Sequence, residues 1–197
     1  MRRMAAQRPD AVIFDLDGTI TRPVLDFDAI RTELGLPPGP ILETRAGLGP
    51  DDQRRIDAVL ARHEQDAATD SLLHDGAREL LDALAAAGVP PAVLTRNSRR
   101  SVVAVCERHG LWFAAVRTRE DGAIKPSPEP VQALCRELGV RAANCWMIGD
   151  YLFDIQSGAA AGTRTALMIG EGPEPDYAHL ADLVVRSLTE LREPFGL

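Results

Sequence analysis

Asp15 and Asp17, separated by Leu16 and followed by Gly18 and Thr19, put two carboxylates one residue apart directly behind the apolar run Ala11-Val12-Ile13-Phe14. Acids this close repel, so one keeps its proton or a cation sits between them. Gly18, free to take positive φ, and Thr19 then bend the chain away. A second pair, Asp150 and Asp154, follows Cys145-Trp146-Met147-Ile148-Gly149, and a spacing of four at a helix start projects both side chains to one side. Thr95 ends the run Ala92-Val93-Leu94 and leads through Arg96, Asn97 and Ser98 into a helix. A hydroxyl beside helix N-terminal N–H groups forms an anion site. Lys125 is the single lysine among 22 basic residues, and Pro126 keeps it out of helical geometry. Its compact ammonium suits a tight site that neutralises phosphate and carboxylate oxygens better than the wide fork of arginine does.

Each feature also has an ordinary structural reading: turn residues at 15–19, an N-cap at Ser98, dipole partners at Asp150 and Asp154, a solvated loop lysine. Their shared placement favours chemistry. All four sit at or just beyond the carboxyl end of a predicted strand, the edge where open α/β sheets bind ligands.

The elements that must carry them follow from periodicity and punctuation. Strands are predicted at about 10–15, at Ala92–Thr95, Ala114–Thr118, Cys145–Gly149 and Thr165–Ile169, with a short edge strand over Ala181–Val185. Helices are predicted over 76–87, 98–109, 128–138 and 152–161, with Gly88, Gly110, Gly139 and Gly162 as C-cap residues. Strand–helix alternation and strands apolar throughout predict an α/β fold, a doubly wound, mostly parallel sheet covered by helices on both faces. Residues 20–74 break the rhythm: a short helix from Asp26 to Leu34, a Gly/Pro-rich interruption at 35–40, and a longer helix from Asp51 to about Ala68 behind Pro50. The expected organisation is a core of residues 1–19 and 75–197 with a small helical cap at 20–74. Trp112-Phe113 is expected to pack the core beneath the third strand.

A chain of 197 residues, 45% hydrophobic and 26% charged, can bury a core of ordinary size. The net charge of −7 argues against nucleic-acid binding, which needs a basic footprint, and no apolar run reaches membrane-spanning length. The basic stretch Met1–Arg8 has no apolar region behind it and reads as a loose leader rather than a secretory signal. Cys106, Cys135 and Cys145, odd in number and in apolar settings, read as reduced thiols of a cytoplasmic protein. The four histidines lie in separate segments without ligand spacing.

With these residues in this order, the chain resembles the haloacid dehalogenase (HAD) superfamily of phosphohydrolases. Asp15-x-Asp17-Gly18-Thr19 resembles its first motif, Thr95 its second, Lys125 its third and Gly149-Asp150-x-x-x-Asp154 its fourth. The insert resembles a small C1-type cap. The resemblance implies Asp15 as nucleophile toward a phosphate monoester, Asp17 as general acid and then base, Thr95 with nearby backbone N–H groups as holders of the phosphoryl oxygens, and Lys125 as a further catalytic residue. It implies Mg²⁺ held by Asp15, the Asp17 backbone carbonyl and Asp150, with Asp154 supporting a metal-bound water or Lys125. Arg96 and Asn97 are candidates for substrate binding beside Thr95. Arg45, in Ile41-Leu42-Glu43-Thr44-Arg45, is the cap candidate for the leaving group, on what is otherwise expected to be a surface loop.

The expected partner is a small phosphorylated metabolite, and nothing in the sequence sets an oligomeric state. A phosphomutase would share both acids of the first motif. A dehalogenase proper would lack the acid that Asp17 supplies, and phosphonate hydrolysis would need a cap lysine that is absent. A receiver-like domain would order its motifs differently, and a non-catalytic phosphate-binding module would not require every motif to be intact.

Overall fold

The structure, a computed structural model, describes residues 6–197. Six strands build one sheet: β1 (Ala11–Phe14), β2 (Pro91–Leu94), β3 (Ala115–Arg117), β4 (Cys145–Gly149), β5 (Arg164–Met168) and β6 (Leu183–Val185). Their order is β3-β2-β1-β4-β5-β6, every neighbouring pair parallel. From β1 the chain winds outward through β2 and β3, then crosses back to start again at β4. The crevice at the carboxyl ends of β1 and β4 is therefore the point where the winding reverses, the usual ligand position in such sheets.

Helices cover both faces: α4 (Ala77–Ala86), α5 (Arg99–His109), α6 (Glu129–Glu137) and α7 (Leu152–Ala161). All four residues of β1 are 0% exposed, so the strand can be apolar throughout. Its alternating side chains feed separate cores. Val12 and Phe14 pack with Leu80, Leu84, Val102 and Trp146, while Ala11 and Ile13 pack with Val131, Leu134 and Met147. Each large apolar side chain buried this way contributes roughly 1.5–3 kcal/mol. Gly88, Gly110, Gly139 and Gly162 all adopt positive φ, as expected of residues ending helices.

Between β1 and α4 stand α1 (Phe27–Leu34), α2 (Ile41–Ala46) and α3 (Pro50–Asp70). They form the cap, with its own apolar cluster of Ile30, Leu34, Ile41, Ile56 and Leu60. Asp26 caps α1 by accepting from the Asp28 and Ala29 N–H groups, and Pro50 opens α3. The two connections to the core are bonded together: the Arg22 N–H donates to the Leu72 carbonyl at 2.8 Å and the His74 N–H to the Ile20 carbonyl at 2.9 Å. α3 packs against α5, so the cap rests on the helix that begins just after Thr95.

Three expectations need correction. Residues 41–46 are a short helix, not a surface loop, because Ile41 anchors them in the cap cluster. Trp112 is 70% exposed, whereas Phe113 is inside, since neighbours in an extended segment point opposite ways. Of the expected loose leader, residues 1–5 lie outside the described residues, while Gln7 is bonded, its N–H donating to the Pro194 carbonyl at 2.9 Å. A C-terminal helical turn at Leu188–Leu191 and α8 (Arg192–Phe195) bury Leu188, Leu191 and Phe195 completely; Phe195 packs on Trp146 with ring centroids 5.3 Å apart. The three cysteines are free thiols. Among the described residues no helix is long and apolar enough to cross a membrane.

Candidate active site

The Asp15 N–H donates to the Ile148 carbonyl at 2.8 Å, which carries the β1–β4 ladder one residue past β1 and fixes the first acid at the crevice. Lys125, from the loop between β3 and α6, reaches it from the side. Its Nζ donates to Asp15 Oδ1 at 2.6 Å and to Asp154 Oδ1 at 2.5 Å, with the lysine side chain only 3% exposed. Burial alone would lower the ammonium pKa, but the two carboxylates more than offset it, so the pKa lies above the ordinary lysine value. Asp154 sits in the first turn of α7, where its other oxygen accepts the Tyr151 N–H at 3.0 Å. Burial raises its pKa to about 6 against the opposing pull of Lys125, so the pair is ionic at neutral pH.

Asp150 stands at the end of β4. Two glycines make room for this arrangement. A Cβ on Gly18 would lie 2.3 Å from Asp150 Oδ2, and the residue needs φ +87°; a Cβ on Gly149 would lie 2.1 Å from Asp154. Behind Gly18, the Thr19 hydroxyl donates to Asp150 Oδ1 at 3.2 Å. Burial, then the nearby Asp15 and Asp154 charges, push the Asp150 pKa well above the usual carboxylate range. Asp17 is raised to about 7 by burial and by Asp15, against the backbone N–H groups of Val24 and Leu25.

Thr95 is 3% exposed, and its Oγ1 accepts the Asn97 N–H at 3.1 Å, leaving the hydroxyl proton for another acceptor. Ser98 caps α5, accepting the Ser101 N–H. Ligand oxygens of Asp15, Asp150 and Asp154 lie within 4.8 Å of one another. An all-oxygen cluster carrying more negative charge than Lys125 neutralises fits a hard divalent cation. The arrangement therefore offers a carboxylate nucleophile, a hydroxyl and an ammonium for anionic oxygens, and a second acid whose pKa suits proton transfer in both directions near pH 7.

The sequence profile of the haloacid dehalogenase-like hydrolases matches residues 33–162. The chain is 34% identical over 222 aligned residues to an N-acetylmuramic acid 6-phosphate phosphatase of Pseudomonas aeruginosa, covering 97% of this chain and 95% of that one. The chain belongs to the haloacid dehalogenase-like hydrolases. A phosphoglycolate phosphatase of Rhodospirillum rubrum is 32% identical, over 90% of this chain and 86% of that one. In fold, a hydrolase from Pseudomonas syringae superposes with a TM-score of 0.79 at 20% identity, covering 92% and 95% of the two chains.

Within this HAD-like fold, Asp15, Lys125, Asp150 and Asp154 are brought together, and Asp17 joins them electrostatically through Asp15. Thr95 follows β2, the strand next to β1, with Asn97 beside it. Arg96 turns toward the seam between core and cap, where Nη2 meets Glu43 of α2 at 2.7 Å. Arg45 is not brought to the acids. Its planar guanidinium makes a two-point fork with Asp57 of α3, at 2.6 and 2.7 Å, which holds it inside the cap.

Three contributions were not assigned from sequence. Thr19 holds Asp150. Glu64 of α3, 2% exposed, accepts the Ser98 N–H at 3.0 Å and pairs with Arg119, so a cap acid steadies the loop behind Thr95. Its signal was available: Ile56, Leu60, Glu64 and Ala68 recur every four residues along the buried stripe of α3, and an acid in such a stripe requires a partner. Finally, a cleft of about 920 Å³ opens beside Gly18 and Asp150, walled by Arg22, His74, Tyr177 and Arg186. Its outer wall comes from a loop without regular periodicity.

Proposed function

We propose that the protein is a Mg²⁺-dependent phosphatase that hydrolyses a small phosphate monoester through an aspartyl-phosphate on Asp15. The observation that carries this reading is the meeting of Lys125 Nζ with Asp15 and Asp154, beside Asp150, at the reversal point of the sheet. The names of two relatives, an N-acetylmuramic acid 6-phosphate phosphatase and a phosphoglycolate phosphatase, point the same way.

In this mechanism an Asp15 carboxylate oxygen attacks phosphorus and the bond from phosphorus to the ester oxygen breaks. Protonated Asp17 gives its proton to the departing alkoxide. As a carboxylate, Asp17 then takes a proton from the water that attacks the aspartyl-phosphate, releasing inorganic phosphate and restoring Asp15. A pKa of about 7 leaves both forms of Asp17 well populated at neutral pH, which suits a group that must act first as acid and then as base. Splitting the displacement in two lowers each barrier. The Thr95 hydroxyl, neighbouring backbone N–H groups and Lys125 hold the transferring oxygens, and Asp154 keeps Lys125 oriented. Asp15, Asp150 and the Asp17 backbone carbonyl would hold Mg²⁺, whose charge would neutralise the phosphoryl oxygens. The proposed division of the chain is a core of residues 1–19 and 75–197 that carries these groups, with residues 20–74 as the cap that screens them.

The test is phosphate release from p-nitrophenyl phosphate and a panel of phosphorylated metabolites, with Mg²⁺ and with chelator. Mg²⁺-dependent release that Asp15→Asn abolishes is expected; no release from any ester would refute the proposal.

A further inference from the structure

Arg96 follows Thr95 directly, and its guanidinium is held from three sides. Nη1 donates to the Lys125 carbonyl at 3.0 Å, and the group lies over the Phe153 ring, 4.9 Å from its centroid. These two contacts come from the loop that carries Lys125 and from the first turn of α7, which carries Asp154, so they fix the guanidinium relative to the reacting end of the site. The third contact differs in kind. Nη2 donates to Glu43 Oε2 of the cap, with the arginine side chain 21% and the glutamate 42% exposed. The Glu43 carboxylate accepts no second hydrogen bond among the described residues. Ion pairs this exposed are weak and easily exchanged.

Two other guanidiniums hold their acids by two hydrogen bonds each, where Nη2 of Arg96 makes one: Arg45 donates to Asp57 from Nε and Nη2, and Arg99 donates from Nη2 to both oxygens of Asp121, which also accepts from Thr118. Arg119 also crosses from core to cap, but it and Glu64 are 12% and 3% exposed, which makes that pair a fixed joint rather than an exchangeable contact. Arg96 is thus an oriented cation beside the phosphate-holding loop, and the acid it now holds can be displaced.

We propose that Arg96 is a specificity residue for which Glu43 is a stand-in: in the substrate complex a carboxylate on the leaving-group side replaces Glu43 on Nη2. The preferred substrates are then phosphate esters of carboxylated alcohols. This rests on the phosphatase reading above and narrows it to a substrate class. A carboxylate is the matching group because the present occupant is one, and because a planar guanidinium donates to it with directed, charge-assisted bonds. The Lys125 carbonyl and Phe153 hold the cation before substrate arrives, so little ordering is required on binding. A neutral alcohol offers Arg96 nothing and leaves Glu43 in place.

The experiment compares ω-phosphooxy carboxylates, with the carboxylate two to five carbons from the ester oxygen, against n-alkyl phosphates of equal length. The best carboxylate ester should exceed its alkyl counterpart in kcat/KM by about tenfold or more, chiefly through KM. Arg96→Gln should bring that ratio to about one, the carboxylate ester losing about tenfold more than the alkyl ester, and Arg96→Lys should fall between because an ammonium lacks the fixed directions in which the guanidinium meets the Lys125 carbonyl and a carboxylate together. Glu43→Gln, which frees the guanidinium, should raise kcat/KM for the carboxylate ester about threefold and leave the alkyl ester within about twofold. No preference in the wild-type protein, or equal losses on both esters in Arg96→Gln, would overturn the assignment. If the alkyl ester is then still hydrolysed and Asp15→Asn stops it, the phosphatase reading survives alone. Hydrolysis of neither series would sink both.

Discussion

Replacing Glu64 with alanine should cost this protein more than any surface change of the same size. The carboxylate is 2% exposed, accepts the Ser98 N–H at 3.0 Å and pairs with Arg119, whose Nη1 also donates to the Arg96 carbonyl at 3.2 Å. Glu64→Ala leaves a mostly buried guanidinium without its anion and a helix N-terminal N–H without its acceptor. Breaking one side of a buried pair typically costs about 3–5 kcal/mol. At this chain length each kcal/mol lowers Tm by about 2–4 °C, so a fall of roughly 6–20 °C is expected. Urea unfolding of Glu64→Ala, Arg119→Leu and Glu64→Ala/Arg119→Leu forms the test. The double variant should be more stable than the sum of the single losses predicts, with a coupling of about 2 kcal/mol or more, because it leaves no uncompensated charge. A single-variant cost under about 1 kcal/mol, or strictly additive losses, would refute the idea that this pair joins the cap to the loop behind Thr95.

Gly18→Ala should lower kcat about a hundredfold in steady-state assays, because a Cβ at φ +87° would meet Asp150 Oδ2 at 2.3 Å and displace an acid that must stay in register; wild-type turnover would show that the close approach is not needed. The acid form of Asp17, with its pKa near 7, should make kcat/KM fall with increasing pH above about 7, and Asp17→Asn should remove that limb along with most of the rate; an unchanged limb would assign it elsewhere. Stability should also respond to pH. Asp17 and Asp154 titrate near 7 and 6 when folded, and Asp150 is raised as well, so between pH 4 and 7 the folded state binds protons that the unfolded state releases. Stability of these groups' folded arrangement is therefore lost as pH rises through that window, and chelated protein should melt higher at pH 5 than at pH 7.5. Added Mg²⁺ should recover Tm at pH 7.5. A chelated protein that melts higher at pH 7.5 would contradict the raised carboxylate values.

The sheet was legible because helices cover both faces, so its strands are unbroken apolar runs, and because glycines punctuate the helix ends. α7 was predicted at 152–161 and spans Leu152–Ala161. The core of the site could be read for a related reason: Asp15, Thr95, Lys125 and Asp150 each follow a strand or the loop after it, so strand order alone gathers them. Long-range partners were not legible. Glu64 and Arg119 are 55 positions apart, and Arg45 could have met any acid until α2 and α3 were packed together. Trp112 and Phe113 differ only in which side of an extended segment each occupies. Leu188, Leu191 and Phe195 carry helical spacing, but in pieces too short to distinguish a core-sealing turn from a loop.

The central proposition is that Asp15 becomes covalently phosphorylated. Acid quenching during turnover, borohydride reduction of any acyl phosphate and peptide mass analysis measure this directly. Covalent catalysis by Asp15 predicts homoserine at position 15 in wild-type protein incubated with substrate, and none without substrate or in Asp15→Asn. Steady phosphate release with no modified residue, or with the modification at Asp17, Asp150 or Asp154 instead, would contradict it.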